Sequence, residues 1–281
     1  MELGLIDSAW FATPVDRLEG IRKTREIGFD SIDIFADPLD LDPVERKSIR
    51  LEAARAHLPI RSIACVAPGI IDINPSVQRF NRDRVARHLD LAYEYDARNV
   101  LLVLGEYIWQ QEVIRPEDQW AWAVAALKWL GDYADRLGVD VAMELEPFHY
   151  SLINTVDKMV RFLDDVDHPR VRANMDVSHL HLTDPKTPPS AIHKLKGRIA
   201  HVHFSDNNGK VHGDLPPGKG TAPLADYLKE LKAAGYDGTV SIELEYSPEP
   251  ARIVEWVTDA YRTSDALMRG IGARTARRQP A

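Results

Sequence analysis

The sequence predicts a single-domain (β/α)8 barrel of the α/β class. Eight short apolar stretches alternate with eight helical segments over nearly the whole 281 residues. That alternation calls for a parallel sheet covered by helices, and a count of eight calls for closure. The length agrees, since such barrels commonly run to ~250 residues. An open, doubly wound sheet is the competing architecture, but no Gly-x-Gly-x-x-Gly follows any strand to support it.

Taken in order, the strands are expected over residues 3–6, 31–35, 61–66, 99–104, 139–146, 171–176, 199–206 and 239–245. The fourth, Asn-Val-Leu-Leu-Val-Leu, is apolar on both faces, as in a sheet covered on each side. Gly28, Gly138 and Gly235 stop the helices that precede the second, fifth and eighth strands. Asp42-Pro43 opens a helix with a cap and a first-turn proline. The barrel is expected to occupy residues 1–268. Residues 269–281, rich in Arg, Gly and Ala and without periodicity, read as a flexible tail.

Composition narrows the function. A formal charge of −8 and a pI near 5.7 argue against a nucleic-acid partner. One cysteine, Cys65, excludes an intrachain disulfide and suits a reducing compartment. No stretch approaches the ~20 apolar residues of a membrane helix, and residues 1–7 carry no signal-peptide pattern. A cytoplasmic protein without a membrane partner is the expectation.

The chemistry gathers at strand ends. Residues 199–206 read Ile-Ala-His-Val-His-Phe-Ser-Asp, so alternation places His201, His203 and Ser205 on one face. Strand five ends Glu144-Leu145-Glu146-Pro147, strand six ends in Asp176 with His179 following, and strand eight carries Glu243 and Glu245. In a barrel these C-terminal ends converge on one mouth. Inward carboxylates in a desolvated mouth repel one another unless something positive compensates. No basic cluster sits at those ends, whereas a divalent cation held by three carboxylates and a neutral imidazole answers the need. Oxygen-rich ligation with one nitrogen suits one Mn²⁺, placed first, or Mg²⁺, Co²⁺ or Zn²⁺.

These motifs, with Asp176-Val177-Ser178-His179, His201-Val202-His203, Leu215-Pro216-Pro217-Gly218-Lys219-Gly220 and Gly235-Tyr236-Asp237-Gly238, resemble those of the xylose isomerase-like sugar isomerase and epimerase barrels. Ketose 3-epimerases, hydroxypyruvate isomerase and inosose dehydratase are among them. The resemblance implies a metal on Glu146, Asp176, His203 and Glu243, with His201 one layer deeper and Glu245 beyond the ligand. It implies an isomerase or epimerase of a ketose or related hydroxyketone. The reaction would pass through an enediolate, with Glu146 and Glu243 as the acid/base pair. His179 would touch a substrate oxygen.

Departures from the family pattern leave the sugar open. Ketose 3-epimerases carry a second Glu six residues past the first ligand, where this chain has Leu152, and an Arg where it has 207–210, Asn-Asn-Gly-Lys. His149, Lys210 and His212 are candidate replacements. Trp10, Tyr107 and Trp109, on loops after strands one and four, could stack on a sugar or wall off a longer substrate. No phosphate-binding loop is evident, which favours a free sugar.

The rival readings are three. A lyase or dehydratase on a keto-polyol or 3-oxo-glycoside, including C-glycoside cleavage, would share the proton abstraction. A repair nuclease of the endonuclease IV type would need histidines at the ends of strands two and three, where Phe35-Ala36-Asp37 and Cys65-Val66-Ala67 stand. A non-enzymatic sugar-binding barrel is the third. Residues 127–130 and Trp256 are candidate packing surfaces for a homo-oligomer.

Overall fold

The computed structural model describes residues 1–105, 113–245, 247 and 249–274. Its eight strands close in sequence order into a parallel barrel. They are β1 (Glu2–Ile6), β2 (Ser31–Phe35), β3 (Ile60–Val66), β4 (Asn99–Val103), β5 (Asp140–Met143), β6 (Val171–Asp176), β7 (Ile199–His203) and β8 (Thr239–Ile242). The helices around them are α1 (Arg17–Ile27), α2 (Pro43–Arg55), α3 (Pro75–Glu94), α4 (Pro116–Leu137), α5 (Val156–Val166), α6 (Val177–Thr183), α7 (Leu224–Ala233) and α8 (Ile253–Gly270). No helix among the described residues is long and apolar enough to cross a membrane.

Local chemistry sets these boundaries. Asp42 caps α2 by accepting the Val44 and Glu45 amides, and Glu45 returns a bond to the Asp42 amide. Gly138 ends α4 in the left-handed region, at φ 71°, where a Cβ is unfavourable. Beyond α8, Arg274 is buried and ion-paired to Asp30 and Asp265, so the chain stays anchored past the helix end. Residues 275–281 lie outside the described ones.

Several boundaries differ from the sequence expectation, β7 among them, which stops at His203 rather than at 206. β5 stops at Met143 rather than at 146, and β8 at Ile242 rather than at 245. After β6 comes α6, seven residues long, then a 3-10 turn (Pro189–Leu195) where a short helix was expected near 190–195. Leu127 and Leu130 are fully buried in the core, so only part of the 127–130 segment faces outward. There Trp129 stacks on Tyr133 at 5.7 Å.

The barrel mouth is divided. Ile6, Ala64 and Leu101, with Phe35 and Val103 against them, form a small apolar cluster supplied by β1 to β4. The ends of β5 to β8 supply the ionisable groups. Following β7, Asp206 fixes the loop 207–222. Its Oδ1 accepts the amides of Asn207 (2.9 Å) and Ala222 (3.0 Å), and its Oδ2 those of Gly218 (3.0 Å) and Gly220 (2.9 Å). A Cβ on Gly220 would lie 2.2 Å from the Asn207 carbonyl, so glycine is what permits this closure. Asp206 is 2% exposed. Charge-assisted bonds of this kind contribute roughly 1.5–3 kcal/mol each. Asp206→Ala is therefore expected to cost on the order of 3 kcal/mol or more and to release amide protection across 207–222, read by chemical denaturation and hydrogen exchange.

Candidate active site

Asp176 is the last residue of β6 and also the cap of α6. Its Oδ1 accepts the His179 amide at 2.7 Å, which is why a histidine three residues on sits beside it. The second oxygen, Oδ2, has no hydrogen-bond partner and turns toward His203. From β7, His203 places Nδ1 at 3.0 Å from Glu243 Oε2, 3.6 Å from Glu144 Oε2 and 3.9 Å from Asp176 Oδ2. None of these approaches has the alignment of a hydrogen bond, and among the described residues both ring nitrogens of His203 are unpartnered. Beneath it, His201 Nε2 meets Asp33 at 2.8 Å across the barrel.

Of the two glutamates that follow β5, Glu144 is the one within 4 Å of His203, whereas the expectation was Glu146. Alternation puts residues 144 and 146 on one face only while the chain remains in the ladder, and β5 has already ended at Met143. Glu144, 3% exposed, is held by Asn174 of β6, whose amide nitrogen lies 2.9 and 2.8 Å from its two oxygens. Glu146 swings aside: its Oε1 accepts the amides of Leu104 (3.0 Å) and Gly105 (3.1 Å) at the end of β4. It lines the same cavity, and among the described residues it falls in none of the groups whose ligand atoms lie within 4.8 Å of one another.

His179 and His212 line the cavity at the mouth. His179 Nδ1 meets the Leu145 carbonyl at 2.7 Å and must donate to it, leaving Nε2 to face His212 Nε2 at 3.0 Å. Asp214, which the sequence did not single out, lies 3.3 Å from His212 and accepts a bond from Ser205 at 2.8 Å. His149 is exposed, against Tyr150, and is not among the cavity's walls. Trp10 is corrected: it lies in a 3-10 turn (Asp7–Trp10), 2% exposed, and donates to Thr24 at 3.2 Å. Its ring packs on Gly20, where an added Cβ would clash at 2.6 Å. Tyr107 and Trp109 lie outside the described residues.

Crowding sets the charge states. Burial pushes the carboxyls of Glu144 and Glu243 well above the ordinary carboxylate range. Neighbouring acids push the same way, chiefly Asp176 on Glu144 and Asp214 with Glu245 on Glu243. Burial, reinforced by His201, lowers His203 to about 4, so its imidazole is neutral at pH 7 and free to act as a ligand. Burial would raise Asp214, but the bond from His212 and the nearby imidazoles hold it at about 2. Asp176, His203 and Glu243 each carry an atom unpartnered among the described residues, and their ligand atoms lie within 4.8 Å of one another, a donor set that fits a divalent cation with Glu144 adjoining it.

The model of the xylose isomerase-like TIM barrel family matches residues 21–263. The chain belongs to that family. It is 27% identical over 236 residues to a D-psicose 3-epimerase of Ruminiclostridium cellulolyticum, covering 79% of this chain and 76% of the relative. To a fructoselysine 3-epimerase of Escherichia coli O157:H7 it is 23% identical, over 93% of this chain and 98% of the relative. Among solved structures, the IolI protein with a bound zinc atom superposes with a TM-score of 0.80 at 19% identity, over 96% of this chain and 99% of that one.

Two outcomes test the cluster. Because folding raises the proton affinity of Glu144 and Glu243, the ion-free fold is favoured at low pH. That contribution is lost as pH rises through their folded values. The ion-free protein should therefore lose Tm as pH climbs from the carboxylate range toward neutrality. Mn²⁺ should restore it with proton release, the gain growing with pH. In calorimetric titrations, Glu144→Gln should weaken Mn²⁺ by about 100-fold or more, and Glu146→Gln far less.

Proposed function

We propose that this protein is a divalent-metal-dependent epimerase of a ketose or a related hydroxyketone. Glu144, Asp176, His203 and Glu243 would hold the ion and His179 and His212 would meet substrate oxygens. The observation that carries this reading is the approach of Glu144 and Glu243 to His203 from the ends of β5 and β8, which lie to either side of β7. An ion bound there would polarise a carbonyl and offset the negative charge that grows on its oxygen.

Everything else falls to side chains of the chain. Glu144 and Glu243 can each take or return a proton at the carbon next to that carbonyl. When one removes it and the other delivers one to the opposite face, the configuration inverts. Their raised proton affinity suits carboxylates that must hold a proton transiently near neutral pH. Asn174 keeps Glu144 from rotating away, and the apolar surface of Ile6, Ala64 and Leu101 keeps water from the opposite side. Counted from Glu144, the place of the second epimerase Glu falls on Tyr150, so the departure from the ketose 3-epimerase pattern persists. Glu146, Glu245, His179 and His212 line the mouth and are the proposed contacts for the remaining hydroxyls.

Incubation of the Mn²⁺-loaded protein with D-fructose in deuterated water tests the reading. Deuterium should enter C3 as D-psicose appears. Glu243→Gln, still folded and still recognised by its thermal profile, should slow this by about 10³-fold. Label at C1 alone, loss of water from the sugar, or full activity in the variant would sink it.

A further inference from the structure

The cavity at the ion-binding cluster is small, about 50 Å³. A benzene ring needs a cavity of roughly 150 Å³, so the mouth accommodates the reacting carbons of a sugar and little more. Beside it, sharing Phe35 and Glu245 as a common wall, opens a hollow of about 340 Å³. Its other walls are of a different character. Phe11, Ala12, Leu244, Ile253 and Trp256 give it an apolar lining from the turn after β1, the end of β8 and the start of α8.

The turn is shaped for this. Ala12 holds a left-handed φ of 53°, a conformation costly for a residue with a Cβ. It leaves Phe11 41% exposed, although its ring stacks on Phe35 at 5.9 Å with the Arg17 guanidinium 5.2 Å from its centroid. Ser8, 7% exposed, also lines the hollow, and its hydroxyl has no hydrogen-bond partner among the described residues. An aromatic left half-open over an apolar hollow, beside an orphaned hydroxyl, points to a ligand group with an apolar body and a single polar atom.

Resting on the epimerase reading above, we infer that the substrate is a sugar carrying an apolar substituent, an aryl or alkyl group of about benzyl size or larger. This group lodges between Phe11 and Trp256 while the reacting carbons occupy the mouth. The volume supports that class: the hollow is more than twice the cavity that takes a benzene ring. A free hexose would leave the apolar lining wet.

The test compares D-fructose with two derivatives that keep its carbonyl, one benzylated at O6 and one carrying a benzylamino group at C1. Each is titrated into Mn²⁺-loaded protein by calorimetry, with C3 deuterium exchange followed in parallel. At least one derivative should bind ten times more tightly than D-fructose and quench tryptophan fluorescence. Phe11→Ala, at an exposed position, should erase most of that advantage while leaving the affinity and exchange of D-fructose within twofold. Trp256→Ala should do the same. Equal affinities for all three sugars, or an advantage that survives both substitutions, would overturn the hollow as a binding site. Tighter binding of a benzylated sugar with no exchange in any of them would leave the hollow standing and remove the reaction assigned to the mouth. Exchange of D-fructose with no benzyl advantage would do the reverse.

Discussion

Negative charge packed around one neutral imidazole is the constraint on which this molecule turns. Glu144, Asp176 and Glu243 all approach His203, and burial disfavours the ionised forms of Glu144 and Glu243. Left alone, such a group holds protons or flies apart; joined by a cation, it becomes a rigid electrophilic centre. Much of the surrounding structure reads as provision for holding it together. Asp176 spends one oxygen on the start of α6, Asn174 grips both oxygens of Glu144, and the His201–Asp33 contact lies under the centre.

The division of the mouth follows from the same constraint. With β1 to β4 contributing Ile6, Ala64 and Leu101, one side presents apolar surface beside the Leu104 and Gly105 amides that bind Glu146, which keeps the repulsion among the remaining carboxylates strong. That side equally offers carbon surface to the apolar face of a sugar. The polar side, from β5 to β8, provides what hydroxyls need. A ring held between the two is oriented before any chemistry begins.

Much of this was legible in the chain itself, and the misses have physical causes. Eight apolar segments announced the barrel, and the His-x-His of β7 and the Asp-x-x-His after β6 announced the site, because ladder alternation and helix capping are local rules. Glu144 and Glu146 take different directions where the local rule stops, at the last laddered residue, Met143. What then decides is tertiary: the amides of Leu104 and Gly105 claim one carboxylate and Asn174 the other. Asp214 was invisible for the same reason, its partners Ser205 and His212 being assembled by a loop with no periodicity. Trp10 and Phe11 exchanged roles because a 3-10 turn, not an open loop, follows β1, burying the first and turning out the second.

The four amide bonds to Asp206 have a consequence for how specificity could change over time. They fix the two ends of the segment that carries His212 to the wall of the mouth, while Asn208, Lys210 and Val211 between them are exposed. Such a segment behaves as an interchangeable cassette: its interior can drift, lengthen or acquire new polar groups while its frame, and hence the catalytic geometry next door, stays put. Variation is cheapest there, and a library confined to 208–211, which leaves His212 on His179 and Asp214, would probe substrate preference at little risk to folding.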